Sequence, residues 1–287
     1  MLRGSRKVVQ TRGLYIPVVD SARPIHWCMS MESTPQAAEL LAFTSGNAQR
    51  YRRNFLRQAV CELRFPILME LAGPKPPAKV VAALRKNYPH IEVKNELTFN
   101  ISSKAETDNV HVFRSQKLNW SLSVRQSALA IETTRYTDFV EMLERTMELV
   151  NAAKDLLDTD FFTRVGLRYV NVIDVADGDY KGWISDQLAA PLFGGQFKGI
   201  AEQAGKLALQ AEDGGCLLQH GVRVTPGRVT PKNEKSPPAT EYVVDIDVYR
   251  NEVPIEGLQG VLESINHQGF SLFDWAIGEK ARKYLSE

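Results

Sequence analysis

The stretch Arg164-Val165-Gly166-Leu167-Arg168-Tyr169-Val170-Asn171-Val172-Ile173-Asp174-Val175 decides the fold, because it restarts an order of elements that the chain has already run through once. Val165, Leu167, Tyr169, Ile173 and Val175 fall on one face at period two, and Arg164, Arg168 and Asp174 fall on the other. That alternation predicts a half-buried strand. An equivalent pattern stands about a hundred residues earlier, where Ala59, Cys61, Leu63, Phe65 and Ile67 share a face opposite Glu62 and Arg64. After that first strand, Gly73-Pro74-Lys75-Pro76-Pro77 breaks the backbone, and Val80, Val81, Leu84 and Tyr88 give helical spacing up to Pro89. Short alternating runs follow at 91–101, 110–113, 120–124 and 129–133, which reads as an antiparallel meander of three to four strands. A long amphipathic helix is expected from Thr137 to Leu157, with Phe139, Met142, Leu143, Leu149, Val150 and Ala153 on its apolar stripe.

Beyond the deciding stretch the same order returns. Residues Tyr180 to Ala204 look helical, interrupted at Pro191 and Gly194-Gly195. Leu207-Ala208-Leu209 and Leu217 to Val224 are strands joined by a hairpin at Gly214-Gly215. Residues 226–239, rich in Pro, Lys, Asn and Ser, form a flexible loop. Tyr242, Val244, Ile246 and Val248 then make a strand face opposite Asp245, Asp247 and Tyr249. A helix begins at Ile255, breaks at Gly269, and is followed by a second helical piece that runs to Leu285. The expectation is an α+β protein made of a poorly ordered N-terminal arm (1–53), a first half (54–160) and a second half (161–287). Each half runs strand, helix, antiparallel strands, long helix. Similar orders occur in TATA-binding-protein-like and helix-grip folds, so the pattern resembles a duplicated unit of that kind, a likeness of fold that carries no chemistry with it.

Three segments carry a further likeness. Asn54-Phe55-Leu56-Arg57-Gln58-Ala59-Val60-Cys61-Glu62-Leu63-Arg64-Phe65, Leu129-Ala130-Ile131-Glu132-Thr133-Thr134-Arg135-Tyr136, and Phe162-Thr163-Arg164-Val165-Gly166-Leu167-Arg168-Tyr169-Val170-Asn171 resemble recurrent segments of a sporadically distributed family of uncharacterised bacterial proteins. The resemblance covers residues 54–285. It implies a domain boundary near Asn54 and, through the family's patchy distribution, an accessory role such as defence or toxin neutralisation.

At 287 residues, with 44% hydrophobic and 24% charged residues, the chain has the composition of a folded globular protein. A net charge of +1 gives no global field to attract nucleic acid or an anionic membrane. Cys28, Cys61 and Cys216 are odd in number and far apart, which suits free buried thiols in a reducing cytoplasm better than disulfides or zinc. No apolar run approaches the length of a membrane span. Cytoplasmic residence is the expectation.

Asp245 and Asp247 place two carboxylates on one strand face, where a magnesium ion could bridge them to a phosphate. A solvated strand surface explains the same spacing, and the Gly-Ser turn found upstream of nucleotidyl-transfer sites is replaced here by the Pro/Lys-rich loop. Arg164 and Arg168 flank Gly166, a pair of guanidinium groups beside bare backbone that could hold a carboxylate or phosphate. Glu62, Arg64, Glu132 and Arg135 occupy comparable positions, so a charge network across an exposed sheet face is the favoured reading. Asn171 lies on the apolar side of its strand and therefore needs a hydrogen-bond partner. The five histidines have no metal-ligand spacing, and neither a nucleophile elbow nor a phosphate-binding glycine loop occurs.

The residues therefore favour a non-enzymatic binding protein that needs no cofactor. It would hold a protein partner or small ligand on a polar sheet face through Glu62, Arg64, Arg164, Arg168 and Asn171, with self-association compatible and nucleic acid disfavoured. The alternative is a magnesium-dependent phosphate- or nucleotidyl-transfer enzyme centred on Asp245 and Asp247.

Overall fold

Alternation along Leu56–Arg64 (β1) buries Ala59, Cys61 and Leu63 completely and leaves Arg64 exposed. The computed structural model describes residues 35–98, 106–175, 178–225 and 239–287. After β1, Pro77 stands at the N-cap of Ala78–Leu84 (α1), where its missing N–H costs nothing, and the helix buries Val80 and Leu84. His90–Thr98 (β2), Glu106–Arg114 (β3), Trp120–Arg125 (β4) and Ala128–Thr133 (β5) then form the expected antiparallel meander. Phe139–Ala153 (α2) starts at Asp138, whose carboxylate accepts the Glu141 N–H at 2.9 Å, and it buries Met142, Thr146, Leu149, Val150 and Ala153.

The second run comprises Phe161–Asp174 (β6), Asp186–Phe193 (α3), Glu202–Ala211 (β7), Gly214–Thr225 (β8), Ala239–Pro254 (β9), Leu258–Ala276 (α4) and Glu279–Ser286 (α5). All nine strands join one antiparallel sheet in the order β2-β3-β4-β5-β1-β6-β9-β8-β7. β1 and β6 pair at its centre, with Cys61 opposite Leu167 and Glu62 opposite Gly166. Outward from β1 lie β5, β4, β3 and β2, and outward from β6 lie β9, β8 and β7. In both directions the last strand made sits next to the first. The protein is thus an α+β fold, with five α-helices and one nine-stranded sheet among the described residues.

One face of the sheet is the core. Cys61, Leu63, Leu122, Ile131, Val165, Leu167, Ile246 and Val248 point to it and pack with the buried stripes of α2 and α4. Burying a side chain of this size is worth about 1.5–3 kcal/mol, so this layer supplies most of the driving force. Cys61 and Cys216 are buried free thiols, and Cys28 lies outside the described residues.

Several expectations change. Gly269 does not break α4, which runs unbroken from Leu258 to Ala276. A Cβ at that position would sit 3.5 Å from a Val248 methyl and 3.7 Å from the Tyr169 ring, so the glycine marks a helix lying close on the sheet. The break comes at Ile277 and Gly278 instead. The helix expected to reach Ala204 ends at Phe193, and residues from Glu202 onward are strand β7. The hairpin at Gly214 stands as read: φ is 154° there, and a Cβ would meet the Tyr249 carbonyl oxygen at 2.3 Å. Of the proposed flexible loop, residues 226–238 lie outside the described residues and Ala239 opens β9.

The N-terminal arm is corrected in part. Residues 1–34 lie outside the described residues, but residues 35–53 lie against the body. Ala37 is fully buried, and the N–H groups of Arg52 and Arg53 both donate to the Leu285 carbonyl, at 2.7 and 3.1 Å. Hydrogen bonds with residues more than two hundred positions away hold this segment, and no local periodicity announces such bonds.

Candidate functional site

Alternation that sends apolar side chains into the core sends the others to the opposite face of the sheet, and the open-face candidates converge there on the three central strands. From β1 come Gln58, Glu62 and Arg64; from β6 come Arg164, Gly166 and Arg168; from β9 come Asp245, Asp247 and Tyr249. Register places Glu62 opposite Gly166 and Gly166 opposite Tyr249. A Cβ on Gly166 would lie 2.5 Å from the Arg164 Nη1, so the glycine leaves the space through which the Arg164 guanidinium crosses its own strand. That guanidinium stacks 4.7 Å from the Tyr249 ring centre.

From this position Arg164 Nη2 donates to Asp247 Oδ2 at 2.7 Å, and Nη1 lies 3.5 Å from Glu62 Oε1. Glu62 Oε1 also accepts from Arg64 Nε at 2.6 Å. Arg168 makes a bidentate pair with Asp245, Nε to Oδ1 at 2.9 Å and Nη2 to Oδ2 at 2.6 Å, the planar fork geometry that only a guanidinium supplies. Gln58 donates to Glu132 at 2.9 Å and extends the network to β5. Arg135 stands outside this lattice, beyond the end of β5. On the three central strands the charges balance, Arg64, Arg164 and Arg168 matching Glu62, Asp245 and Asp247, and Glu132 on β5 adds one negative charge.

The two aspartates differ in setting. Burial pushes the Asp247 carboxyl up from its usual value, against the lowering influence of Arg164 and Arg168. Arg168 is raised by its hydrogen bond to Asp245. Each carboxylate is engaged by an arginine, so a cation at Asp245 and Asp247 would have to displace both guanidinium groups. Among the described residues no group of three or more His, Cys, Asp or Glu side chains is arranged to hold a metal.

Asn171 is not part of this face. It is buried at 3% exposure on the core side, and its Nδ2 donates to the Val244 carbonyl opposite at 3.3 Å. Its role is to satisfy a cross-strand contact whose loss would cost about 1–3 kcal/mol. The buried thiols are equally remote from chemistry: burial pushes Cys61 up to about 12 and Cys216 up to about 11, so neither is a thiolate near neutrality.

A second cluster of charge has no counterpart in the sequence reading. Asp274, on α4 and only 8% exposed, accepts from Ser45 Oγ at 2.7 Å, Asn47 Nδ2 at 3.0 Å, Arg282 Nε at 3.3 Å and the Tyr51 hydroxyl. Burial alone would raise this carboxyl, but the bonds from Tyr51, Ser45 and Asn47 together with the Arg282 charge hold it below the usual range. Asp274 clasps the segment 35–53 to the body. Its one sequence signal is an acidic residue inside an apolar helical stripe, between Phe273 and Trp275.

Among the described residues no helix is long and apolar enough to cross a membrane. No family model matches the chain, and no curated protein matches it.

Proposed function

We propose that this chain is a non-enzymatic binding protein whose open sheet face docks a protein partner. The observation that carries the reading is the Arg64–Glu62–Arg164–Asp247 lattice with the adjacent Arg168–Asp245 pair. Ion pairs contribute only about 0–1 kcal/mol each where a partner is exposed, as at Arg64 and Arg168, and the half-buried Arg164 pairs also bear a desolvation cost, so stability alone is a weak reason to pave a sheet face with them. Fixed, alternating charges do suit recognition, where complementary potentials set register and reject wrong partners. Nine strands at the usual spacing span roughly 40 Å, an extent that fits a macromolecule better than a small ligand. The balanced charge favours a protein over nucleic acid.

The wiring supports a deeper reading of the fold. Each half begins at the centre of the sheet, crosses through a helix to the outer edge, returns strand by strand, and ends in a long helix on the core face. We read this as a duplicated unit of the TATA-binding-protein-like or helix-grip kind, the second copy having one strand fewer. On the same footing we place the chain with the sporadically distributed bacterial family its segments resemble, and its role among accessory or defence-type systems.

The test is affinity purification from the native host with the wild-type chain beside an Arg164→Glu/Arg168→Glu double variant. A protein that co-purifies stoichiometrically with the wild type and is lost from a folded double variant is the expected result. Recovery of the bare wild-type chain, or equal capture by both, removes the reading.

A further inference from the structure

Arg250 takes no part in the lattice of the open sheet face. It sits on β9 next to Tyr249 but points the other way, into the core side, and is 7% exposed. Its Nη1 donates to the Tyr249 carbonyl at 3.0 Å and its Nη2 to Gln268 Oε1 at 2.8 Å. Both acceptors are neutral. The guanidinium makes no ion pair with any described residue, and its hydrogen bonds to them are these two. Asp213 is the carboxylate whose charge acts on it, but it makes no direct ion pair with the guanidinium and is tied instead to the Ala37 N–H at 2.7 Å.

A buried cation with no counter-ion in contact is costly, because neutral acceptors and a more distant carboxylate recover only part of the desolvation of the charge. Every other arginine described above as buried or half-buried in this protein faces a carboxylate. At Arg250 the space is instead a cavity of about 190 Å³, between the 35–53 segment and α4. Thr44, Ser264 and His267 line it with polar groups, and Leu41 and Phe43 form an apolar wall. Phe43 is itself backed by Trp275, with ring centres 6.2 Å apart. At roughly 30 Å³ per water molecule, the volume suits one small organic molecule.

We propose that this cavity binds a small organic carboxylate, the carboxylate pairing with Arg250 and the apolar body lying against Leu41 and Phe43. The planar fork of a guanidinium matches a carboxylate bidentately, and the apolar wall selects against a bare inorganic anion, which would leave it facing empty space. Gln268 fixes the geometry: its Oε1 holds Nη2 of Arg250 while its Nε2 donates to the Ala37 carbonyl at 2.8 Å. The same side chain therefore ties the cation to the segment that closes the cavity. The site is on the opposite side of the sheet from the docking face and stands or falls separately from it.

Titration calorimetry and thermal melting of the full chain with butyrate and benzoate test this, with butyramide, benzamide and inorganic phosphate as comparisons. Saturable binding of at least one carboxylate is expected, at least tenfold tighter than its amide and than phosphate. Arg250→Gln should weaken it at least tenfold. Because that variant removes a buried side chain and can fail to fold, Ser264→Phe provides a second arm: Ser264 is exposed, and the phenyl group fills the cavity mouth while Arg250 stays in place. A folded Ser264→Phe protein that no longer binds supports the site. No carboxylate binding to the wild type at millimolar concentration, equal binding of amide or phosphate, or binding that survives Arg250→Gln or Ser264→Phe overturns it.

Discussion

Two of the networks of arginine and carboxylate among the described residues teach opposite lessons. On the open sheet face, Arg164, Arg168, Glu62, Asp245 and Asp247 come from three neighbouring strands, and their pairing follows from strand register. At Asp274 the partners are Arg282 of α5 and residues 45, 47 and 51, the last three brought in by the path of a segment with no regular element of its own beyond short 3-10 turns. The first lattice is graded, from Arg64 and Arg168 at 56% and 52% down to Asp247 at 24% and Asp245 at 14%. The second surrounds a carboxylate at 8%. Exposure decides what each is worth: the outer lattice organises a surface, and the inner cluster holds the chain together.

The sharpest way to break that contrast is Asp274→Ala. It leaves Tyr51, Asn47, Ser45 and Arg282 without their common acceptor, and losing one member of a buried charged network typically costs about 3–5 kcal/mol. Urea unfolding should report that loss, with faster proteolytic cleavage in 35–53. A cost below about 1 kcal/mol would put the two clusters on the same footing and end the distinction. Next in size is Arg164→Met, which frees the half-buried Asp247 and Glu62 and should cost about 1–2 kcal/mol in the same measurement. Arg168→Ala removes a guanidinium that is 52% exposed, against 21% for Arg164, and should cost less than about 1 kcal/mol despite its better bidentate geometry. If Arg168 proves the larger of the two, geometry outranks burial on this face.

The smallest effect is in the acid limb of stability, where the two clusters pull in opposite directions. Asp274 is held below its usual value in the folded state, so its contribution is present above the unfolded-state carboxylate range and is lost as pH falls through its folded value. Asp247 is raised, so its contribution is full below that range and is lost as pH rises through its folded value. Asp274→Asn should therefore flatten the dependence of unfolding free energy on pH in the acid limb, and Asp247→Asn should steepen it. Equal slopes in the two variants would contradict the assignment.

These differences also explain what could be read in advance. The strand faces of β1, β6 and β9 are written in alternate residues, because a strand exposes its period directly. Glu62, Arg64, Arg164, Arg168, Asp245 and Asp247 were accordingly legible as one polar surface, although which arginine meets which aspartate was not. Asn171 was legible as a buried amide needing a partner, but its side of the sheet separates it from the others. Gly269 misled because glycine in a helix signals both an end and a close approach, and only the position of Val248 and Tyr169 distinguishes them. The Asp274 clasp and the Arg250 cavity stayed hidden because both depend on residues 35–53 folding back onto α4. Such contacts leave no periodic trace.

Strand β9 has a consequence for how this chain can change over generations. Its odd-numbered residues 245, 247 and 249 face the open lattice, and its even-numbered residues 244, 246, 248 and 250 face the core and the cavity. A substitution between Tyr242 and Arg250 therefore alters one surface and spares the other. An insertion or deletion of a single residue there exchanges the two sets, burying aspartates and exposing valines. The segment should tolerate point changes on its open side and almost no change in length, so length is the character under strongest constraint.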